Sequence, residues 1–412
     1  MEFVADLHIH SKYSRATSPS MDIPNLAKWA KLKGVQLVAT GDFTHHLWVQ
    51  ELKKYLKPVE GKGLYTHEGV HFILSAEISS IYSQDGKVYR VHNVFLAPSL
   101  EIIEEINKML SFHGNIASDG RPILGMSCIK LAEEIFKISE DIMLIPAHIF
   151  TPWFSVFGSR SGFDSLEQAY GEYTEKITAL ETGLSSDPAM NWMISALDKY
   201  SLVSNSDSHS PSRIGREANV FYCEMSYWEI KKVLETKDKS KFLYTVEFFP
   251  EEGRYHFDGH RNCNVRFSPQ ETKKHKGICP SCAKPLTKGV LYRVEELADR
   301  PYGFVPENAI GYKSMVSLDE IIAEVKGVGK ASKAVEKEYM EAIYNCGPEF
   351  NILIKACLED LAGRLPERII DGIRRVREKK VQAIPGYDGE YGIIKVFGEE
   401  KEYKKQSQMS LF

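Results

Sequence analysis

Short apolar runs that end in histidine or acidic residues recur along the first half of the chain, and they restrict its fold more than any other feature. FVADLHIH at 3–10, VHFILSAEI at 70–78 and IMLIPAHI at 142–149 each have the length and composition of a buried strand. Amphipathic segments such as IPNLAKWAKLKG at 23–34 lie between several of these runs. This alternation predicts a parallel (β/α) barrel over residues 1–223. Polar residues at the carboxyl ends of barrel strands usually form the functional site.

The residues at these strand ends have the side chains that bind metal ions. His8 and His10 stand two residues apart on an extended segment, so both imidazoles point to one side and can bind one ion. One histidine at a strand end is more often a buried core residue. Here the pair is joined at the same level of the barrel by five further residues: Glu77, His92, His148, Asp207 and His209. We therefore predict a metal centre.

This ordered set resembles the PHP (polymerase and histidinol phosphatase) superfamily of metal-dependent phosphoesterases. The resemblance implies an α/β fold with a distorted (β/α) barrel that holds two or three divalent ions, which would be Zn, Mg or Mn. It implies a first ion held by His8, His10, Glu77 and Asp207, and a second ion that Glu77 shares with His92 and His148. Bridged ions activate water and stabilise the entering and leaving oxygens of a phosphate. The catalytic residues on this reading are Glu77, Asp207 and His209.

A third ion would need ligands at positions where the sequence departs from the superfamily pattern. The superfamily has a histidine near position 16, where this chain has Ala16, and an Asp-His pair on the second strand, where it has Asp42-Phe43. Asp42, His45 and His209 are the candidate ligands of a third ion, with His46 as the alternative to His45.

Several residues near the predicted centre suit DNA. Arg213 and Arg216 follow Asp207 and can grip phosphate oxygens through paired donors, although surface ion pairing is the common alternative. Trp153 and Phe154 follow His148 and can wedge into DNA or line a base pocket, although buried core aromatics are more common.

A second metal site is predicted by short ligand pairs, His260-x-x-Cys263 and Cys279-x-x-Cys282, which can close tetrahedrally on a structural zinc. His256 and Asp258 are alternative fourth ligands. Residues 254–293 contain nine basic and two acidic residues, among them Lys273 and Lys274, in a chain whose net charge is −4. A basic zinc module suits phosphate contacts with DNA, although a solvated basic loop would have the same composition.

The remaining chain has a helical pattern and a polar tail. GVG at 327–329 resembles a helix-hairpin-helix turn, and 384–397 reads as a hairpin with Asp388-Gly389 at its turn. The last residues resemble the peptide with which repair proteins dock on the sliding clamp, because Gln406, Met409 and Phe412 have its spacing. A frayed terminus is the alternative.

Taken together, the barrel, the zinc module and the helical segment resemble the archaeal endonuclease Q family over nearly the full chain. The resemblance implies a metal-dependent endodeoxyribonuclease that nicks 5′ of uracil, hypoxanthine or an abasic site, with damaged DNA and the sliding clamp as partners. Two other functions remain open: a PHP phosphatase of small phosphomonoesters and a non-catalytic, clamp-bound DNA adaptor. We expect four segments: the barrel at 1–223, a linker and zinc module at 224–300, a helical DNA-contacting segment at 301–397 and a flexible tail at 398–412.

The sequence also predicts where the protein resides. The amino terminus has no basic leader followed by an apolar stretch, and no apolar run reaches the length of a membrane span. Seven cysteines are too few and too scattered for a disulfide framework. We therefore expect a cytoplasmic protein without a membrane partner.

Overall fold

The computed structural model describes residues 1–398, so the predicted clamp-binding peptide at 406–412 lies outside the described residues. The strands of the first half are β1 (Glu2–Asp6), β2 (Leu37–Ala39), β3 (Lys57–Val59), β4 (Leu64–His67), β5 (Val70–Gln84), β6 (Lys87–Ala97), β7 (Ile123–Leu124), β8 (Met143–Pro146), β9 (Ala179–Glu181), β10 (Ser201–Val203) and β11 (Ala218–Tyr222). The helices are α1 (Ile23–Lys33), α2 (His46–Tyr55), α3 (Leu100–Ser111), α4 (Cys128–Ile138), α5 (Leu166–Tyr170), α6 (Pro188–Asn191) and α7 (Tyr227–Thr236).

The barrel is mixed rather than fully parallel. β1 pairs with β2, and β2 with β5, in parallel, and β9 pairs in parallel with β10. β11 joins the other edge of β1 antiparallel, and β6 lies antiparallel to both β5 and β8. The predicted α/β barrel is confirmed as a distorted one, but the expectation of parallel pairing throughout is wrong.

The antiparallel pairing of β5 with β6 has a local cause in the sequence. Asp85 and Gly86 connect the two strands and have φ angles of 52° and 76°. A two-residue turn with positive φ at both positions twists in the same sense as the strands, and it joins antiparallel neighbours. The β5–β6 hairpin brings Glu77 and His92 onto adjacent strands, where Ser79 is the direct partner of His92.

The sheet continues past residue 223. The next elements are β12 (Phe242–Glu247), β13 (Asp258–His260), β14 (Val265–Phe267), α8 (Pro269–Lys274), α9 (Val290–Leu297) and β15 (Gly311–Ser314). β12 pairs antiparallel with β11, and β15 pairs parallel with β12. The barrel sheet therefore crosses the predicted boundary at 223, and the chain leaves it and returns to it on either side of the cysteine module.

The helical segment contains α10 (Leu318–Lys326), α11 (Lys333–Cys346), α12 (Leu358–Leu361) and α13 (Glu367–Arg377), followed by the predicted hairpin as β16 (Gln382–Ile384) and β17 (Ile393–Lys395). A buried ion pair fastens it to the barrel, because Lys33 of α1 lies 2.5 Å from Glu349 and both residues are buried. Tyr339 donates to the same carboxylate at 2.7 Å, and the Leu318 backbone N–H donates at 3.0 Å. No helix within residues 1–398 has the length and apolar character needed to span a membrane.

Candidate metal centre

The first ligand group lies at the carboxyl end of β1. His8, His10 and Asp207 place one ligand atom each within 4.8 Å of one another. The Nε2 atom of His10 is 3.1 Å from Oδ1 of Asp207. The segments are held together by a parallel bridge between Ile9 and Ser208. The structure thus brings together residues that are almost 200 positions apart.

The second ligand group lies beside the first and consists of Glu77, His92 and His148. Oε1 of Glu77 is 2.6 Å from Nδ1 of His92 and 3.2 Å from Nε2 of His148. Its other oxygen, Oε2, faces the first group, at 3.3 Å from Nε2 of His10. The Glu77 carboxylate therefore stands between the two groups, where the PHP resemblance placed a bridging ligand.

The unpaired atoms of the centre fit metal ions. Nε2 of His8, Nε2 of His10 and Oδ1 of Asp207 are buried, and none of them meets a partner with hydrogen-bond geometry among the described residues, although the last two atoms are 3.1 Å apart. Leaving such atoms unpaired is costly unless a ligand meets them. Although burial opposes ionisation of Glu77, the charges of His92 and Arg121 hold the pKa of its carboxyl group well below the ordinary value. A mixed set of imidazoles and ionised carboxylates suits zinc, manganese or magnesium.

The three residues predicted to hold a third ion form no such group in the part of the chain that the structure describes. Asp42 is fully buried, and its oxygens lie 3.0 Å from Nδ1 of His10 and 2.6 Å from the backbone nitrogen of Ser11. His45 stacks on Tyr13 with ring centroids 4.4 Å apart. His209 approaches the centre, since its ring is 4.6 Å from that of His10. The geometry makes Asp42 the carboxylate that orients His10, and it gives the third ion no support.

Glu181 is a residue of the centre that the sequence analysis missed. It is fully buried, and its oxygens lie 3.0 and 3.2 Å from Nδ1 of His8. The same carboxylate accepts hydrogen bonds from the backbone of His148 at 3.1 Å and from Asn205 at 2.8 Å. A carboxylate on Nδ1 fixes the tautomer that leaves Nε2 free to bind metal. Its position at the end of the run ITALE is the signal that identifies it.

Arg121 is the second missed residue. One nitrogen of its guanidinium, Nη1, donates to Oε2 of Glu77 at 3.0 Å. The arginine lies in the loop between α3 and β7, in a stretch without a strand or helix pattern, so the sequence contained no signal for its position.

The two arginines predicted to grip phosphate have different surroundings. Arg213 lies 3.3 Å from Asp319 and 3.5 Å from Glu320, two carboxylates of α10, so it fastens the helical segment to the barrel. Arg216 donates from Nε to the Ser206 carbonyl at 2.9 Å and lines a cavity beside the centre. These contacts favour Arg216 over Arg213 as a phosphate ligand.

That cavity, of about 220 Å³, opens next to both ligand groups and is lined by His148, Asp207, Arg216, Phe248 and Tyr255 among others. Of the predicted wedge residues, Trp153 contacts a residue that lines this cavity and Phe154 contacts a candidate ligand. The Trp153 ring packs edge-on against Tyr255 at 5.3 Å, and the Phe154 ring is 4.8 Å from the His92 ring. Both side chains are half-buried.

The cysteine module contains a third ligand group, made by His260, Cys263, Cys279 and Cys282. Nδ1 of His260 is 3.4 Å from the sulfur of Cys282. Although burial opposes the thiolate form, hydrogen bonds from the Ser281 and Cys282 backbone lower the pKa of the Cys279 thiol. The group offers the four nitrogen and sulfur ligands of a structural zinc site.

The alternative fourth ligands do not belong to this group. Asp258 accepts a hydrogen bond from the Gly289 backbone at 2.6 Å, and His256 is buried at a separate cavity. Of the two predicted DNA-contacting lysines, Lys273 pairs with Glu295 at 2.8 Å and Lys274 is exposed.

A distorted (β/α) barrel with His-x-His after its first strand, and with a glutamate between two groups of candidate metal ligands, is the arrangement expected of a PHP-type metallohydrolase. Comparison with solved structures narrows this class. Endonuclease Q of Pyrococcus furiosus, a lesion-specific endonuclease, is 35% identical, with a TM-score of 0.86 over 98% of this chain and 99% of that chain. Endonuclease Q in complex with a 27-mer duplex substrate with an abasic lesion at the active site is also 35% identical, with a TM-score of 0.85 over 96% of each chain.

The chain belongs to the endonuclease Q family. Residues 317–380 also match the family model of the MJ0043 C-terminal domain. The uncharacterised protein MJ0043 of Methanocaldococcus jannaschii is 34% identical over 265 residues, which is 62% of this chain. The match spans about a third (32%) of the length of that relative.

Proposed function

We propose that the protein is a metal-dependent DNA endonuclease that nicks the strand 5′ of a deaminated base or an abasic site. The observation that carries the proposal is the position of Glu77 between two groups of metal ligands, with its two oxygens facing different groups. Similarity over nearly the whole chain to a lesion-specific endonuclease supports DNA as the substrate.

Two divalent ions would fit this centre: His8, His10 and Asp207 would hold one, His92 and His148 would hold the other, and Glu77 could contribute to both. Such ions would supply Lewis acidity toward water and the phosphate oxygens. In the net reaction, the oxygen of water bonds to phosphorus, the P–O3′ bond breaks and a proton passes to O3′. The products carry a 3′-hydroxyl and a 5′-phosphate.

His209 is suited to move a proton in this reaction. Its side chain is about a third exposed (34%), so it stands where the buried centre meets solvent. Its Nδ1 is 2.8 Å from the Asp207 carbonyl, which accepts the hydrogen bond, and Nε2 remains for proton exchange. Asp207, with one oxygen unpaired, orients the water.

The cavity beside the centre is proposed to receive the damaged nucleotide. A mispaired or missing base leaves the stack at lower cost than a paired base, which favours lesions over intact DNA. Trp153 and Phe154 stand where an aromatic ring can support the distorted strand. Replacing Trp153 by alanine tests this role. Unchanged incision of a uracil-containing duplex by that variant would show that Trp153 does not support the distorted strand.

Contacts outside the barrel are proposed to hold the DNA backbone. The zinc module, with Lys274 exposed and Lys273 paired to a single glutamate, presents positive charge that suits phosphate contacts. The structural ion at His260, Cys263, Cys279 and Cys282 is proposed to be zinc, which elemental analysis of the purified protein checks.

A sliding clamp is the proposed partner of the peptide with Gln406, Met409 and Phe412. We expect Phe412→Ala to lose clamp binding.

A nicking assay tests the function. End-labelled duplexes with one uracil, hypoxanthine or abasic site, and an undamaged control, are incubated with Zn²⁺, Mg²⁺ or Mn²⁺. We expect a metal-dependent nick 5′ of the lesion that is lost in His8→Ala and Asp207→Ala. His113→Ala replaces an exposed histidine outside the centre and serves as the matched control.

The same assay separates the alternatives. Hydrolysis of a chromogenic phosphomonoester without cleavage of DNA would favour a phosphatase. Tight binding of damaged DNA without metal-dependent turnover would favour an adaptor. Either outcome would overturn the proposed nuclease function.

A further inference from the structure

We infer that Arg121 is a catalytic residue of this centre, which contacts a non-bridging oxygen of the scissile phosphate and stabilises its charge during cleavage. The inference rests on the proposed nuclease function and adds to it a residue outside the metal-ligand set. It starts from the hydrogen bond of 3.0 Å between the guanidinium and Oε2 of Glu77, the oxygen that faces His10.

The backbone around Arg121 is pinned on both sides. The Gly120 nitrogen donates to the Tyr13 carbonyl at 3.0 Å, and the Gly120 carbonyl accepts from Thr44 at 2.9 Å. On the other side, the Pro122 carbonyl accepts from the Ser79 nitrogen at 3.0 Å. These bonds come from three different segments, so the fold fixes the origin of the arginine side chain at the centre.

Gly120 allows this close approach. A Cβ atom at position 120 would lie 2.4 Å from Oδ2 of Asp42 and 2.6 Å from the Ser14 hydroxyl. The loop therefore packs directly on the carboxylate that orients His10. Any larger residue at 120 would move the Arg121 backbone away from the ligands.

The charges at the centre explain why an arginine there should meet an anion. A guanidinium 3.0 Å from the Glu77 carboxylate would weaken the binding of divalent ions to that carboxylate, because like charges repel at short range. An anionic phosphate oxygen that binds near the same cations would offset this repulsion. Two bound divalent ions and the guanidinium would together carry more positive charge than the negative charge of the four carboxylates at the centre, which are Glu77, Asp207, Glu181 and Asp42. A phosphodiester supplies the missing negative charge.

The side chain is also accessible from the site. It is about a quarter exposed (27%), whereas the Glu77 side chain is fully buried. A guanidinium has five N–H donors in a planar fork, so contact with Glu77 leaves donors for phosphate oxygens. Arg121 thus contacts Glu77 while part of its side chain stays open to solvent.

The test measures cleavage and metal binding separately in Arg121→Ala, Arg121→Lys and the wild type. Single-turnover nicking of a lesion duplex is followed at saturating metal, and metal affinity is measured by calorimetry on metal-free protein without DNA. For Arg121→Ala we expect a rate about 100- to 1,000-fold below wild type, as for loss of a donor to developing charge. Metal affinity should be equal to that of the wild type or higher. Millimolar guanidinium, below denaturing concentrations, should restore part of the rate.

Arg121→Lys keeps the charge but not the planar fork, so its rate should fall between the other two. It also keeps the test decisive if the alanine variant fails to fold, which thermal melting would reveal. Lys108→Ala removes an exposed cation from the helix that leads into the same loop, and it should keep the wild-type rate.

Two results would overturn the inference alone while the wild type still nicks lesions: a wild-type rate in Arg121→Ala at every metal concentration, or a rate that is slow at limiting metal and reaches the wild-type value at saturating metal. The second result would mean that Arg121 only supports Glu77. A wild type that nicks no lesion duplex under any metal would instead overturn the proposed function, and this inference with it.

Discussion

Replacement of Glu181 by glutamine should weaken metal binding at the first ligand group without changing the shape of the site. Both oxygens of the carboxylate accept hydrogen bonds, one from the His148 backbone at 3.1 Å and the other from Asn205 at 2.8 Å, while His8 contacts both. Glutamine has one oxygen and one amide nitrogen. Whichever way the amide turns, its N–H₂ group faces a donor and leaves a buried group unpaired.

The magnitude has two parts. A hydrogen bond to a charged group contributes about 1–2 kcal/mol more than one to a neutral group, so His8 becomes a weaker metal ligand by about 10-fold. Loss of an outer carboxylate partner typically lowers metal affinity by about 10- to 100-fold, which agrees. The unpaired donor should in addition destabilise the fold by about 1–3 kcal/mol.

The assay is a metal titration of the metal-free protein against a chromogenic chelator, together with nicking rates over a range of metal concentrations. Glu181→Gln should need more metal for half-maximal rate and should approach the wild-type rate at saturation. Glu140→Gln is the matched control, because its carboxylate is mostly exposed (82%) and pairs only with Lys176 at 2.8 Å among the contacts of the described residues. Glu181→Gln with wild-type metal affinity and stability would refute the orienting role.

Three further predictions follow from buried or tightly packed groups. Glu349→Ala leaves Lys33 buried without its partner and should lower the free energy of unfolding by about 3–5 kcal/mol, measured by chemical denaturation; a loss below about 1 kcal/mol would mean that the ion pair does not fasten the helical segment. Cys279→Ser should abolish the bound structural ion, detected as loss of zinc from the purified protein, whereas Cys357→Ser, an exposed cysteine outside the ligand group, should retain it. Gly120→Ala should slow nicking strongly while the zinc module keeps its metal, because the new Cβ would overlap Asp42; normal nicking would show that the loop yields at no cost.

The ligand residues could be predicted from the sequence because most of them stand at the end of an apolar run. His8, His10, His148 and Asp207 follow this rule, whereas Glu77 lies in the middle of β5; the structure brings all five to the candidate centre. Glu181 follows the same rule and could have been found by applying it to every strand.

Other features depend on contacts that no local pattern encodes. Arg121 reaches Glu77 across 44 positions from an irregular loop, and Asp42 turns toward His10 rather than toward an ion of its own. The mixed pairing of the barrel had a signal in Asp85-Gly86, which the expectation of a parallel barrel overlooked. The return of the chain to the barrel sheet at β15 had almost none, because GYKS is short and largely polar.

Because the chain returns to the barrel sheet at β15, the cysteine module is connected to that sheet by two strands, β12 and β15, which serve as its two stems. Tyr244 of β12 pairs directly with Gly311 of β15, so the roughly 65-residue excursion between them begins and ends on neighbouring strands, about 5 Å apart. A module tethered at both ends cannot drift from the nuclease centre as a domain on a single linker can. It can, however, be exchanged as a cassette: a crossover connection of about a dozen residues, which parallel strands require, should leave the barrel sheet intact, while truncation of the chain before β15 would strip a strand from that sheet.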